Sequence, residues 1–152
     1  MTTRGFEFAY MLDGSKATPV IRDFRLAAAA VHLVGDLMGV ASDGDAAIVT
    51  STTTEVLGIM QEPFTAAQVD PGTTVGKVAI LTRGQVWRCS MNATTTAFYV
   101  GYTKTIDTVD QNTISATDST GGKMILVDKS ELDDDGNVLA YVVFADTTFG
   151  NS

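Results

Sequence analysis

The sequence predicts an all-β protein with at most one short helix, built as a compact small barrel or sandwich. Threonine is abundant and glycine occurs 14 times in 152 residues, and threonine is stiff at χ1 and favours extended backbone. Short apolar stretches alternate with frequent turn signals, which is typical of small all-β domains. No alternation of strands with helices and no fixed-period repeat is visible in the sequence.

Length, hydropathy and charge restrict the class of protein further. A chain of 152 residues, 45% of them hydrophobic, can form one domain with a core that needs no disulfide or metal. The net charge is −8, and such an acidic body repels phosphate backbones, so we expect no nucleic-acid partner. The longest apolar run, residues 26–34, is too short to span a bilayer, so we expect no membrane partner.

The first residues allow two interpretations. Phe6, Phe8 and Tyr10 alternate with small or polar residues, as in a strand, and a turn follows at residues 13–15. Residues 1–14 are either an N-terminal arm that is completed only by a neighbouring molecule or the ordinary first strand of the sheet. The first alternative divides the chain into an arm, 1–14, and a single β-rich domain, 15–152.

Local signals predict the remaining elements. The four alanines within residues 25–33 allow a short helix or an extended segment. Gly58 lies inside a predicted strand and indicates a bulge or a close approach of another backbone. Hairpins are expected around the turns at 42–45 and 83–84, and a tight turn is expected at 70–72. The predicted strands are 37–41, 46–49, 55–60, 75–82, 85–89, 97–103, 113–117, 123–128 and 138–144.

No motif predicts a metal or cofactor site. The acidic run 133–137 resembles part of a calcium-binding loop, but the position that requires a glutamate is Val142, so we interpret the run as a hairpin turn. Lys123 follows two glycines without the spacing of a phosphate-binding loop, and we interpret it as a solvated lysine beside a flexible turn. The expected cofactor and metal complement is therefore none.

No catalytic residue is predicted either. His32 and Cys89 are the only histidine and the only cysteine, and they lie in different segments, so Cys89 is interpreted as a small buried thiol. Trp87 is interpreted as a packing residue in a strand. We therefore expect a protein that is not an enzyme.

Five short segments together resemble a known class of proteins. They contain Gly-Asp and Gly-Xaa-Val steps and a Leu-Gly-Ile strand, and they are residues 26–40, 43–44, 56–60, 75–80 and 84–87. Their succession resembles the small capsid decoration proteins, also called head-stabilising or cement proteins, of tailed bacteriophages. The resemblance implies a β-tulip-like fold and homotrimers above the threefold axes of an icosahedral head.

The resemblance also implies a function and a location. Such a protein is made in the host cytoplasm, binds the major capsid protein on the outer surface of the virion, and stabilises the head by clamping neighbouring subunits. If the N-terminal arm contacts the capsid, the alternating aromatic residues of the arm predict that Arg4, Phe6, Phe8 and Tyr10 form the contact. Two alternatives stay open: a carrier module of the lipoyl or biotinyl type, and an enzyme in which His32 and Cys89 meet across an oligomer interface.

Overall fold

The computed structural model describes residues 5–41, 43–50, 56–100, 106–119, 122–145 and 147. These residues form short strands and one 3₁₀ turn, Ala66–Gln68, and no α-helix occurs among them, which confirms the all-β prediction. The strands are β1 (Glu7–Met11), β2 (Ile21–Arg25), β3 (Leu37–Val40), β4 (Ala46–Ile48), β5 (Gly58–Met60), β6 (Val75–Ile80), β7 (Gln85–Ser90), β8 (Thr108–Asp110), β9 (Thr113–Ile114), β10 (Met124–Leu132) and β11 (Val138–Phe144).

The strands assemble into two larger antiparallel sheets. Sheet A has the order β1-β7-β11-β10, and sheet B has the order β2-β6-β5-β3-β4. Strands β8 and β9 form a separate ribbon. The first and last strands of each larger sheet do not pair with each other. The described strands therefore form open sheets and no closed barrel. Of the two predicted architectures, the layered one agrees with this arrangement.

The core lies between the two sheets. Its largest cluster of buried side chains contains Leu37 and Ile59 from sheet B together with Trp87 and Val142 from sheet A. Alternate residues of the same strands form two smaller clusters on the outer faces, one on sheet B and one on sheet A. This alternation follows from the pleat, which directs successive side chains to opposite faces of a sheet.

Several locally encoded turns are confirmed. Gly44 has φ +88° in the turn between β3 and β4, and Gly136 has φ +83° in the turn between β10 and β11. The Asp133 Oδ1 atom accepts hydrogen bonds of 2.9 Å from the backbone N–H groups of Asp135 and Asn137. The acidic run is therefore a hairpin turn whose first carboxylate caps the turn itself.

The predicted hairpin around residues 83–84 is wrong. Strand β6 pairs with β2 and β5, whereas β7 pairs with β1 and β11, so the chain crosses from sheet B to sheet A at this point. The Gln85 side chain donates to the Ile80 carbonyl and accepts from the Thr82 N–H. In a hairpin, the Ile80 carbonyl and the Thr82 N–H would form hydrogen bonds with the opposite strand. At the crossing, the Gln85 side-chain amide forms these hydrogen bonds instead.

The prediction for Gly58 is confirmed, and two strand predictions need correction. A Cβ atom at Gly58 would overlap the carbonyl oxygen of Ala79 on β6, so glycine permits the close approach of the two backbones. No strand forms at residues 97–100, and 101–103 lie outside the described residues. The strand predicted at 113–117 is limited to the two residues of β9.

Candidate protein-binding surfaces

Among the described N-terminal residues, Glu7–Met11 form the first strand of the chain. Strand β1 pairs with β7 at the edge of sheet A. The Phe6 ring is buried 5.4 Å from the ring of Phe144, and Phe8 packs edge-on against Trp87 at 5.5 Å. In this conformation Phe6 is buried in the core, and Phe8 is partly buried against it.

Tyr10 is the member of the predicted contact set that reaches the surface, and Arg4 lies outside the described residues. Phe8 pairs with Trp87 and Tyr10 with Val86, so one extra residue, Ala9, interrupts the alternation. This bulge turns the Tyr10 side chain to the outer face of sheet A, where it is 44% exposed. Simple alternation would have placed all three aromatic rings on one face.

The segment between β2 and β3 forms an exposed apolar loop, residues 27–34, which contains no charged residue. It is not a helix: His32 is buried and its backbone exchanges two hydrogen bonds of 2.9 Å with Phe64. Because neighbouring side chains alternate in extended backbone, the residues on either side of His32 face outward. Val31, Leu33 and Val34 are 55%, 50% and 54% exposed. Adjacent large aliphatic side chains on a surface are typical of an interaction site.

A cleft between the two sheets continues this apolar surface. The inter-sheet cleft has a volume of about 280 Å³ and is lined by residues of both sheets and by Val34 of the apolar loop: Phe6, Glu7, Phe8, Thr18, Pro19, Ile21, Val34, Gln61, Ala79 and Trp87. It lies between β1 and β2, which are the edge strands of sheets A and B in the described part of the chain. Apolar side chains and strand edges therefore occur together on one side of the molecule.

A second cavity, the tyrosine pocket, lies on the outer face of sheet A. Its volume is about 330 Å³, and it is lined by residues from all four strands: Phe8, Ala9, Tyr10, Arg88, Asp128, Glu131 and Tyr141. The Tyr10 and Tyr141 rings are 6.3 Å apart at 31°. The Tyr141 hydroxyl donates to Glu131 Oε2 at 3.1 Å. This pocket combines aromatic faces with carboxylates.

Two ionisable groups of the pocket have shifted pKa values. Hydrogen bonds to Tyr141 and to Glu7 raise the pKa of the Arg88 guanidinium above its usual value, and Arg88 Nη2 lies 2.5 Å from Glu7 Oε1. The backbone N–H of Ser130 lowers the pKa of the Asp128 carboxyl. Both groups are therefore charged at neutral pH.

Cys89 and His32, the two side chains considered as possible catalytic groups, are both buried. Burial in the core raises the pKa of the Cys89 thiol, and its Sγ donates to the Asn112 carbonyl at 3.3 Å. A protonated thiol is a poor nucleophile. His32, in the apolar loop, packs against the ring of Phe64. The side chains of Cys89 and His32 therefore contact different residues. This geometry does not favour a nucleophilic dyad within one chain.

The interpretation of Lys123 as a solvated lysine is wrong. Its side chain is 0% exposed and forms an ion pair with Asp107, whose side chain is 2% exposed. Asp107 also accepts a hydrogen bond of 2.7 Å from the backbone N–H of Thr108. A carrier lysine must be accessible to its attaching enzyme, so this burial disfavours the carrier alternative at Lys123. No sequence signal connects two residues that are sixteen positions apart.

The comparisons with known proteins found no relative. No family model matches the chain, no curated protein matches it, and no solved structure matches it. Within the described ranges, no helix is long and apolar enough to cross a membrane. Those same residues contain no group of three or more His, Cys, Asp or Glu side chains that could hold a metal ion.

Proposed function

We propose that this chain is a structural protein that binds the outer surface of an assembled bacteriophage capsid and stabilises the head by clamping neighbouring capsid subunits. The observation that carries the proposal is the continuous apolar surface formed by the apolar loop and the inter-sheet cleft. The sequence resemblance to decoration proteins supplies the capsid as the partner. A protein that binds only the assembled shell stabilises that shell by mass action.

The physical argument starts from the exposed aliphatic side chains. Full burial of one such side chain contributes roughly 1.5–3 kcal/mol, and Val31, Leu33, Val34 and Ile21 are each about half exposed. Covering them would therefore contribute a few kcal/mol in total. The neighbouring strands β1 and β2 also offer backbone N–H and C=O groups at the sheet edges, so a partner strand could add hydrogen bonds there. Together these contacts fit a clamp between protein subunits.

We further propose that the chain forms homotrimers, in solution or on the capsid. The proposal is motivated by the resemblance and by the exposed apolar side chains of the apolar loop, which a neighbouring copy of the chain or the capsid would cover. Light scattering after size exclusion should give about three times the mass of the 16.0 kDa chain, or the decorated head should show three copies at each occupied axis. A monomer both in solution and on the shell would contradict this proposal.

Replacing Val31 and Leu33 together by serine should weaken binding to expanded, undecorated phage heads by about ten- to a hundred-fold. Both side chains are exposed, so the change removes apolar contact area from the partner interface and leaves the fold intact. Sedimentation of the protein with purified heads measures the bound fraction, and electron microscopy of the same mixture shows whether the density is ordered.

A matched variant controls for the loss of exposed apolar surface. Val109 and Leu132 are exposed to a similar degree but lie on β8 and at the end of β10. Their double replacement by serine should leave head binding within about two-fold of the unmodified protein, since changes at exposed positions away from an interface are small. Equal losses in both double variants, or no loss in either, would show that the apolar loop is not the contact surface.

A further inference from the structure

We propose that the tyrosine pocket is a binding site for a cationic side chain, lysine or arginine, of a partner polypeptide. The pocket is on the outer face of sheet A, whereas Leu26, directly before the apolar loop, and Phe64, which pairs with His32 of that loop, belong to the outer cluster of sheet B. The pocket is therefore a second binding surface on another side of the molecule. The proposal stands whether or not the chain binds a capsid.

The shape of the pocket depends on irregularities in both edge strands of sheet A. The bulge in β1 between Phe8 and Tyr10 brings Tyr10 to the outer face. The register of β10 against β11 shifts on both sides of Asp128, which stands opposite Tyr141. Bulges commonly redirect side chains at functional sites. In this protein, the two irregularities place Tyr10 of β1 and the carboxylates of Asp128 and Glu131 of β10 around the Tyr141 ring.

The charges of the pocket are unbalanced. Glu7 is neutralised by Arg88, which it contacts directly. Asp128 and Glu131 line the pocket, whereas Glu7 does not, and Arg88 is the only cation among the described residues that line it. Lys129 lies between these two acids in the sequence, but its Nζ donates to the Phe98 carbonyl at 2.6 Å. Because Arg88 is paired with Glu7, Asp128 and Glu131 leave the pocket lining with an excess of negative charge, which an incoming cation would balance.

The aromatic rings favour the same kind of ligand. An ammonium or guanidinium group is attracted to the face of a tyrosine ring and to a carboxylate beside it. The Arg88 guanidinium shows that this site accommodates a cation beside a carboxylate and a tyrosine, because it hydrogen-bonds to Glu7 and to Tyr141. The hydrogen bond from the Tyr141 hydroxyl to Glu131 fixes the ring against a carboxylate, while the exposed Tyr10 ring forms an accessible wall.

The test is an NMR titration of the isolated protein with Nα-acetyl-arginine amide and Nα-acetyl-lysine amide at low ionic strength. Saturable shifts are expected at the ring signals of Tyr10 and Tyr141 and at the amide of Glu131, and added salt should weaken them. Nα-acetyl-citrulline amide has nearly the shape of the arginine probe without its charge. It should bind about ten-fold more weakly, since the charge-dependent contacts are lost. Equal binding of the citrulline probe, or no saturable shift with either cation, would overturn the proposal.

Two variants locate the site. Glu131→Gln removes one carboxylate and keeps an acceptor for the Tyr141 hydroxyl, and Tyr10→Leu removes the exposed aromatic wall; each should weaken arginine-probe binding several-fold. The control Asp135→Asn removes an acid from the turn of the same hairpin, outside the pocket lining, and should leave the affinity unchanged. A loss in the control equal to that in Glu131→Gln would indicate nonspecific attraction to the acidic protein. Because Glu131→Gln is close to isosteric, it keeps the test valid even if Tyr10→Leu fails to fold.

Discussion

Deletion of residues 1–12 is expected to prevent the domain from folding. The deletion removes strand β1 from sheet A, together with the buried Phe6 ring. It also uncovers Trp87, which packs against Phe8. Truncating one buried phenylalanine to alanine already costs roughly 3–5 kcal/mol, against a total stability of about 5–15 kcal/mol for a typical domain. Soluble yield, size exclusion and circular dichroism of the truncated protein measure the outcome.

Two point variants make this prediction sharper. Phe6→Ala should lower the free energy of unfolding by roughly 3–5 kcal/mol, whereas Tyr10→Ala should lower it by about 1 kcal/mol or less, because Tyr10 is 44% exposed and lies outside the core. A soluble truncation with a nearly unchanged melting temperature that no longer binds heads would instead support the docking-arm interpretation of residues 1–14. A soluble truncation that decorates heads normally would place the contact surface on the body of the domain.

Replacing Lys123 by methionine should destabilise the protein by about 3–5 kcal/mol. The change leaves the Asp107 carboxylate buried without its cation, and the penalty for an unpaired buried charge is large. The double replacement Lys123→Met/Asp107→Leu removes both charges and should recover most of the lost stability. Chemical denaturation of the single and double variants measures this difference as a double-mutant cycle.

The exposed pair of Lys77 and Asp23 provides a matched control. Its Nζ–Oδ1 distance is 3.2 Å, and the two side chains are 58% and 62% exposed. Water screens such a pair, so Lys77→Met should cost about 1 kcal/mol or less. If Lys123→Met were no more destabilising than Lys77→Met, the ion pair with Asp107 would not be a structural requirement of the core.

The sequence was sufficient for features that depend on the type of a single residue or of its immediate neighbours. The turns at Gly44 and Gly136 and the tight contact at Gly58 follow from glycine and aspartate chemistry, and they are found where they were expected. The crossing at residues 83–84 was misjudged, because a short turn between two strands has the same local signature whether the strands pair or diverge. Only the long-range pairing of β7 with β1 and β11 decides between them.

The candidate surfaces were predictable only in part. Phe8 and Tyr10 were predicted as contact residues, but the pocket also contains Arg88, Asp128, Glu131 and Tyr141, which come from three further strands and are brought together by register. The apolar character of the loop was visible in the sequence, whereas its exposure depends on the pairing of His32 with Phe64. The burial of Lys123 could not be inferred either, since flanking glycines indicate a solvated turn and its partner Asp107 is distant in sequence.

The strand order also determines the sequence of folding events on the ribosome. Sheet B consists of β2 to β6, which are consecutive in the chain, but β1 must wait for β7, because Met11 pairs with Gln85. At synthesis rates of roughly 5–20 residues per second, the aromatic side chains of β1 stay without their partner strand for several seconds. The nascent chain therefore presents an unpaired aromatic strand to solvent during that interval, and rapid overproduction should favour aggregation through β1 before sheet A is complete.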